Sequence, residues 1–326
     1  MAFMSTVRFN CVQPGLEPQA MGARYQAFVE MARYADEHGV GIVTLEEHHG
    51  ADDGWSPSPM TMAGLVFGAT NTLTVSIFAL LLPLHDPLRV AEDLAVLDLA
   101  SGGRLTTVLG LGYRPEEYAA HGKDWKQRGA LMDECVDTLL KAWTGEPFEF
   151  RGTTVRVTPK PLTQPHPMIL LGGTSKPAAR RAARFGLPMM AAAHVDWLEP
   201  YYYEQCNEQG TQGFFMDPGS EFASIHIADD PDKVWHDLGS YFLHEATTYH
   251  AWQTPDIQSS AHSHASTVDE LRAEGLYQVL TPEQAVERGT TKGSINLHPL
   301  VGGMPIDAGW DSLHLYCEQV LPKLAA

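Results

Sequence analysis

Short apolar runs alternate with stretches in which apolar residues recur at helical spacing along nearly the whole chain. Residues 7–12 (VRFNCV) read as a first strand. A helix over 22–38 follows, with Phe28, Met31, Ala32 and Ala35 on one face and Gly39 as its stop. Residues 41–45 make a second strand that runs into Glu46-Glu47-His48-His49, and Ser58-Pro59 opens the next helix. A third strand over 73–82 is apolar on both faces, as strands covered by helices are. The pattern continues with a helix over 87–99, a fourth strand over 105–110, a helix over 128–143 and a β-hairpin over 148–157. A fifth strand, 168–171, leads through Gly172-Gly173-Thr174-Ser175 into a helix over 176–184. Sixth, seventh and eighth strands fall at 188–192, 222–227 and 294–300. Helices are expected after Asp196 and over 232–250, 282–288 and 307–321. Strands each followed by a helix predict an α/β chain folded as a (β/α)8 TIM barrel with insertions, a single domain over 1–326. The polar, Ser/His-rich segment 252–275 is read as an excursion, and a doubly wound sheet is the competing arrangement.

Composition narrows the function classes. Twenty-two Lys plus Arg against 40 Asp plus Glu give a formal charge of −18, a surface that repels a polyphosphate backbone or an anionic membrane. Neither a nucleic-acid nor a membrane partner is expected. Cys11, Cys135, Cys206 and Cys317 form no CxxC and read as buried thiols of a reducing compartment. The first ten residues show no basic-then-apolar leader, and the most apolar stretch, 65–84, is broken by Asn71 and Pro83, so a cytoplasmic protein is expected.

In a barrel of this kind the loops after the strands carry the chemistry, and the polar residues gather there. Asn10 lies near the end of the first strand; Glu47, His48 and His49 follow the second, Gly112, Tyr113 and Arg114 the fourth, and Gly172 to Ser175 the fifth. His194, His226 and His298 close the sixth, seventh and eighth. Adjacent histidines point in different directions, so one can face a pocket while the other is held by a carboxylate such as Glu47, and an imidazole moves protons near neutrality. A polar surface loop or a metal site are the other readings of the pair. The glycines before Thr174 and Ser175 let backbone amides approach an anion at a helix N-terminus; a tight turn capped by Ser175 explains the same residues equally well. His194, His226 and His298 are expected to line the pocket, and Trp197 to pack near it. Gly110-Leu111-Gly112 lacks the third glycine of a dinucleotide loop, Pro115 standing in its place. No catalytic metal is expected: there is no HxH after the first strand, His244-Glu245 does not continue to HExxH, and His262/His264 lie in the excursion.

Several motifs in order resemble the bacterial luciferase-like flavin-dependent oxidoreductases and monooxygenases. They are Glu46-Glu47-His48-His49-Gly50, Ser101-Gly102-Gly103-Arg104-Leu105 leading to the segment 110–118, Pro165-His166-Pro167 before the strand-five loop, and Asn296-Leu297-His298-Pro299-Leu300. The resemblance implies a barrel binding reduced FMN or, in relatives, the deazaflavin F420. It also implies catalysis by His48 with His49 beside it, a phosphate loop at Gly172, Gly173, Thr174 and Ser175, and cofactor contacts at Glu47, Gly112, Tyr113 and Arg128. A non-proline cis peptide is implied near Ala79-Leu80, at the end of the third strand. Some F420-dependent dehydrogenases of the family carry a glutamate where this chain has Tyr113. The expected activity is a two-component monooxygenase using FMNH2 from a partner flavin reductase and O2 on a hydrophobic organic substrate. F420-dependent hydride transfer and a non-catalytic flavin-binding protein are the alternatives. The family also implies a homodimer, for which Met60-Thr61-Met62 on an exposed helix start would serve.

Overall fold

A computed structural model describes residues 3–218, 222–253 and 259–324. In chain order the elements are β1 (Met4–Phe9), α1 (Pro18–Glu37), β2 (Ile42–Leu45), α2 (Pro59–Ala69), β3 (Thr74–Leu81), α3 (Pro87–Ser101), β4 (Leu105–Gly110), α4 (Pro115–Ala120) and α5 (Arg128–Trp143). They continue with β5 (Phe148–Phe150), β6 (Thr153–Val155), β7 (Met168–Gly172), α6 (Lys176–Phe185), β8 (Met189–Met190), α7 (Leu198–Gln209) and β9 (Phe215–Met216). The last are β10 (Ser224–Ile227), α8 (Pro231–Trp252), α9 (Val268–Glu274), β11 (Tyr277–Leu280), α10 (Pro282–Lys292), β12 (Ser294–Leu297), α11 (Ile306–Leu315) and α12 (Leu321–Leu324).

The contacts divide the chain into two compact units. The first holds residues 1–75, 221–253 and 261–326. Its strands pair in parallel: β1 with β12 and with β2, and β10 with β12 and with β11. Phe9 meets Phe28 edge-on at 5.1 Å, while Trp235, Phe242, Tyr277, Val301 and Met304 form a second core. Close packing fixes Gly302 (φ +57°), where a Cβ would lie 1.8 Å from the Tyr241 carbonyl oxygen.

The second unit holds residues 76–220 and 254–260. Here β4 pairs with β7, β7 with β8 and β8 with β9, all parallel, and β5–β6 is the expected antiparallel hairpin. Helix α3 starts where the Asp86 carboxylate accepts from the amides of Leu88 and Arg89, with Pro87 in its first turn, and stops at left-handed Gly102. Leu81, Leu84 and Tyr118 pack with Trp125 and Leu131. The Phe78–Ala79 bond is a non-proline cis peptide, one residue from the expected position.

Three expectations are corrected. The first strand ends at Phe9, because Cys11 takes φ +54° and the chain turns there, so Val12 is buried as a loop residue. The excursion holds the last residue of α8 and the helix α9, which a Thr267/Glu270 capping box opens, and β11 follows it. Met62 is buried, accepting from the Ser56 hydroxyl at Sδ, so it offers no exposed dimer contact. All four cysteines are free and buried, and among the described residues no helix is long and apolar enough to cross a membrane.

Candidate active site

In the first unit the loop after β2 is stitched to the loop after β1. The Ser56 amide donates to the Asn10 carbonyl (2.8 Å), His48 N to Ser56 O (3.0 Å), and Gln13 N to Asp53 O (2.7 Å). This seats His48 with its ring 4.7 Å from Trp252, 5.6 Å from Trp55 and 6.2 Å from Tyr249, centroid to centroid, and leaves it 6% exposed. The two neighbouring histidines do separate: His49 Nε2 donates to Glu47 Oε1 at 2.9 Å, and the Glu47 side chain is fully buried. An imidazole is thus held among aromatic rings next to a second imidazole fixed by a carboxylate, an arrangement suited to holding or moving a proton away from bulk water.

Behind this loop lies an ionic network that the sequence reading missed. Glu245, wholly buried on α8, accepts from Arg8 Nη1 (2.9 Å), Asn10 Nδ2 (2.7 Å), Tyr277 OH (3.2 Å) and Gly302 N (2.9 Å). Arg8 is also ion-paired with Glu46, whose Oε2 accepts from Trp55 Nε1 at 3.0 Å. Burial opposes the Glu245 charge. The His298 and Arg8 charges and the bonds from His298 and Asn10 outweigh it, and hold the carboxyl far below the usual range. Burial likewise works against the Arg8 charge, yet Glu46 and Glu245 raise its pKa well above the ordinary arginine value. Beside the network, His244 Nε2 donates to Asp53 (2.9 Å), a bond that raises the imidazole pKa against partial burial.

These partners place three expected pocket residues. Asn10 is fully buried with its amide spent on Glu245. His298 is 1% exposed, Nδ1 lying 3.4 Å from Arg8 Nη1 and 3.4 Å from Glu245 Oε1. His226 is 2% exposed, edge-on to Phe242, and burial pushes its pKa down to about 4. Arg8 and Glu245 had weak signals in the sequence. Arg8 is a charge inside an apolar strand, and Glu245 falls on the apolar stripe of Trp235, Phe242 and Ala246.

In the second unit the β7–α6 turn carries Gly172 and Gly173, the latter at φ +141°. A Cβ would sit 3.0 Å from Val108 Cγ1 at Gly172 and 3.0 Å from Ala178 Cβ at Gly173, so both positions are tightly packed, and the φ of Gly173 disfavours any side chain there. Ser175 caps α6, its hydroxyl accepting from Ala178 N at 3.3 Å. Gly110 and Ala79 approach equally closely, a Cβ on Gly110 lying 2.8 Å from that of Ala79. Gly112 takes φ +74° and is followed by Tyr113, while Arg114 is ion-paired with buried Glu117 at 3.1 Å. Arg128 lies over the Trp125 ring at 4.1 Å and donates to the Trp125 carbonyl. His194 is clamped on the surface by Asp217 (2.7 Å) and Asp196 (3.1 Å), and Trp197 is 43% exposed rather than packed.

Known proteins sharpen this picture. The luciferase-like monooxygenase family model matches residues 4–291. The alkanal monooxygenase alpha chain of Photorhabdus laumondii is 30% identical over 176 residues, 52% of this chain and 48% of that one. The chain spans about half the length of the curated relatives it matches. The oxygenating constituent of 3,6-diketocamphane monooxygenase from Pseudomonas putida, solved with FMN, superposes with a TM-score of 0.71 at 17% identity over 99% of each chain. An F420-dependent secondary alcohol dehydrogenase, solved with an F420–acetone adduct, gives 0.69 at 17% identity, again over 99% of each. Parallel strands alternating with helices are therefore those of the luciferase-like TIM barrel, and by the match over 4–291 the chain belongs to the luciferase-like monooxygenase family of enzymes.

Proposed function

We propose that the chain is the oxygenating component of a flavin-dependent monooxygenase, taking reduced FMN from a separate reductase and acting with O2 on a hydrophobic organic molecule. The observation that carries this reading is His48, 6% exposed among Trp55, Tyr249 and Trp252. The donor set at the β7–α6 turn fits an FMN phosphate. Gly172 and Gly173 carry no side chain, Thr174 adds a hydroxyl next to them in sequence, and a ten-residue helix capped by Ser175 begins there. Reduced FMN, when bound, supplies two of the four electrons that reduce O2; the substrate supplies the other two, one oxygen atom entering the product and one leaving as water. His48 would exchange a proton through a ring nitrogen, with the His49–Glu47 pair beside it in the same loop, and the aromatic rings that seat it would keep water away.

The test is a binding screen with oxidised and reduced FMN, FAD and F420, followed by oxygen uptake. Reduced FMN should bind and sustain uptake coupled to substrate oxidation. Binding of F420 alone would replace this reading with hydride transfer, and flavin binding without uptake would replace it with a storage or sensing role. His48→Ala should bind FMN and lose about 10²–10⁴-fold in turnover; an undiminished rate would remove His48 from the mechanism.

A further inference from the structure

A group of side chains outside this site is assembled by the first unit from two distant stretches. His250 lies in the last turn of α8, and His262 and His264 return twelve and fourteen positions later. His250 Nδ1 lies 2.8 Å from His262 Nε2, and the ring centroids stand 4.5 Å (His262–His264), 4.9 Å (His250–His262) and 5.4 Å (His250–His264) apart. One nitrogen from each ring falls within 4.8 Å of the others. We propose that these three imidazoles bind one Zn2+ ion, with a fourth position left to water.

The donor chemistry selects the ion. Three neutral nitrogens suit a borderline divalent metal such as zinc and reject magnesium or calcium, which want oxygen. Tetrahedral zinc with bonds of about 2.0–2.1 Å needs its nitrogens roughly 3.3 Å apart, so modest ring rotations close the site. Access is open, because His250 and His264 are exposed and His262 half-buried. The loop is also already held. Ser263 is buried and donates to Glu274 Oε2 (2.5 Å), His264 N donates to Glu274 Oε1 (3.1 Å), and Ala265 N to Ser263 Oγ (3.1 Å). H-x-H spacing gives two ligands in the sequence; the third comes only from folding.

The consequence is mechanical. His250 lies between Tyr249 and Trp252, whose rings pack on His48. A metal clip at His250 braces the turn that walls the proposed catalytic imidazole, without touching it.

Calorimetric titration of the chelator-treated full chain with Zn2+ tests the site. One Zn2+ per chain is expected, with affinity falling at least ~10-fold in His262→Ala or His264→Ala and unchanged in His236→Ala, a solvent-exposed histidine elsewhere on α8. Circular dichroism checks that each variant is folded. Cu2+ spin resonance on the unaltered chain gives a second reading, three coupled nitrogens. No binding by the unaltered chain, or equal binding by the double variant His262→Ala/His264→Ala, would overturn the proposal.

Discussion

The Arg8–Glu46–Glu245 network and the β7–α6 turn are both polar, yet they are built in opposite ways. The network gathers opposite side-chain charges in a nearly waterless place, and contacts from across the first unit satisfy Glu245: Arg8, Asn10, Tyr277 and the Gly302 amide. The turn uses no charge of its own. It packs two glycines closely at the start of a helix that Ser175 caps, with the Thr174 hydroxyl beside them in sequence. The first arrangement is complete within the protein, and breaking it leaves a buried charge undercompensated and buried donors without their acceptor. The second is proposed to take an anion, and losing a donor that the protein does not itself use there would weaken a ligand rather than the fold.

Glu245→Ala should therefore have the largest effect, roughly 3–5 kcal/mol of stability by urea unfolding, because buried Arg8 keeps only Glu46 as a counter-charge and Asn10, Tyr277 and Gly302 lose their acceptor. A loss below about 1 kcal/mol would mean that the network is solvated.

Acid is a milder way to break the same region. The folded pKa of His226 is depressed to about 4 from an ordinary 6.5, so the folded state favours the neutral ring. Its contribution is present above pH 6.5 and lost as pH falls through the window 6.5 to 4, on the order of 3 kcal/mol. The raised pKa of His244 acts oppositely, its contribution being present below 6.5 and lost as pH rises through its folded pKa, outside that window. The stability profile of the chain should fall between pH 6.5 and 4, and that of His226→Leu should be flatter there. Parallel profiles would contradict the burial argument.

At the turn the effects are smaller, on proposed binding at Thr174 and on the helix cap at Ser175. Thr174→Val should weaken FMN about 10-fold with the urea midpoint unchanged, since one hydrogen bond to a charged group is removed. Ser175→Ala removes the cap of α6 and should cost about 1 kcal/mol of stability. If Thr174→Val destabilised the fold more than Glu245→Ala, the contrast between the regions would be wrong.

The same contrast explains what the sequence made legible. Helix α5 begins at Arg128 and ends at Trp143 as its apolar spacing predicts, and β4 runs from Leu105 to Gly110 as read. The Glu47–His49 contact spans two residues, so local pattern finds it. The Arg8–Glu245 contact spans 237, and no periodicity connects two positions that only the fold brings together. Helix α9 lay in a segment too polar to read as structure, although its Thr267-x-x-Glu270 capping box is written in the sequence. The pattern carries the first strand on to Val12 because that residue, buried in a loop, looks from composition like a strand residue.

Comparing the affinity of the chain for reduced FMN and for reduced riboflavin, which lacks only the phosphate, tests the proposed anion-gripping turn most directly. The account predicts that riboflavin binds at least ~10-fold more weakly and that Thr174→Val narrows the gap. Equal affinity for the two flavins, or binding of neither, would contradict it.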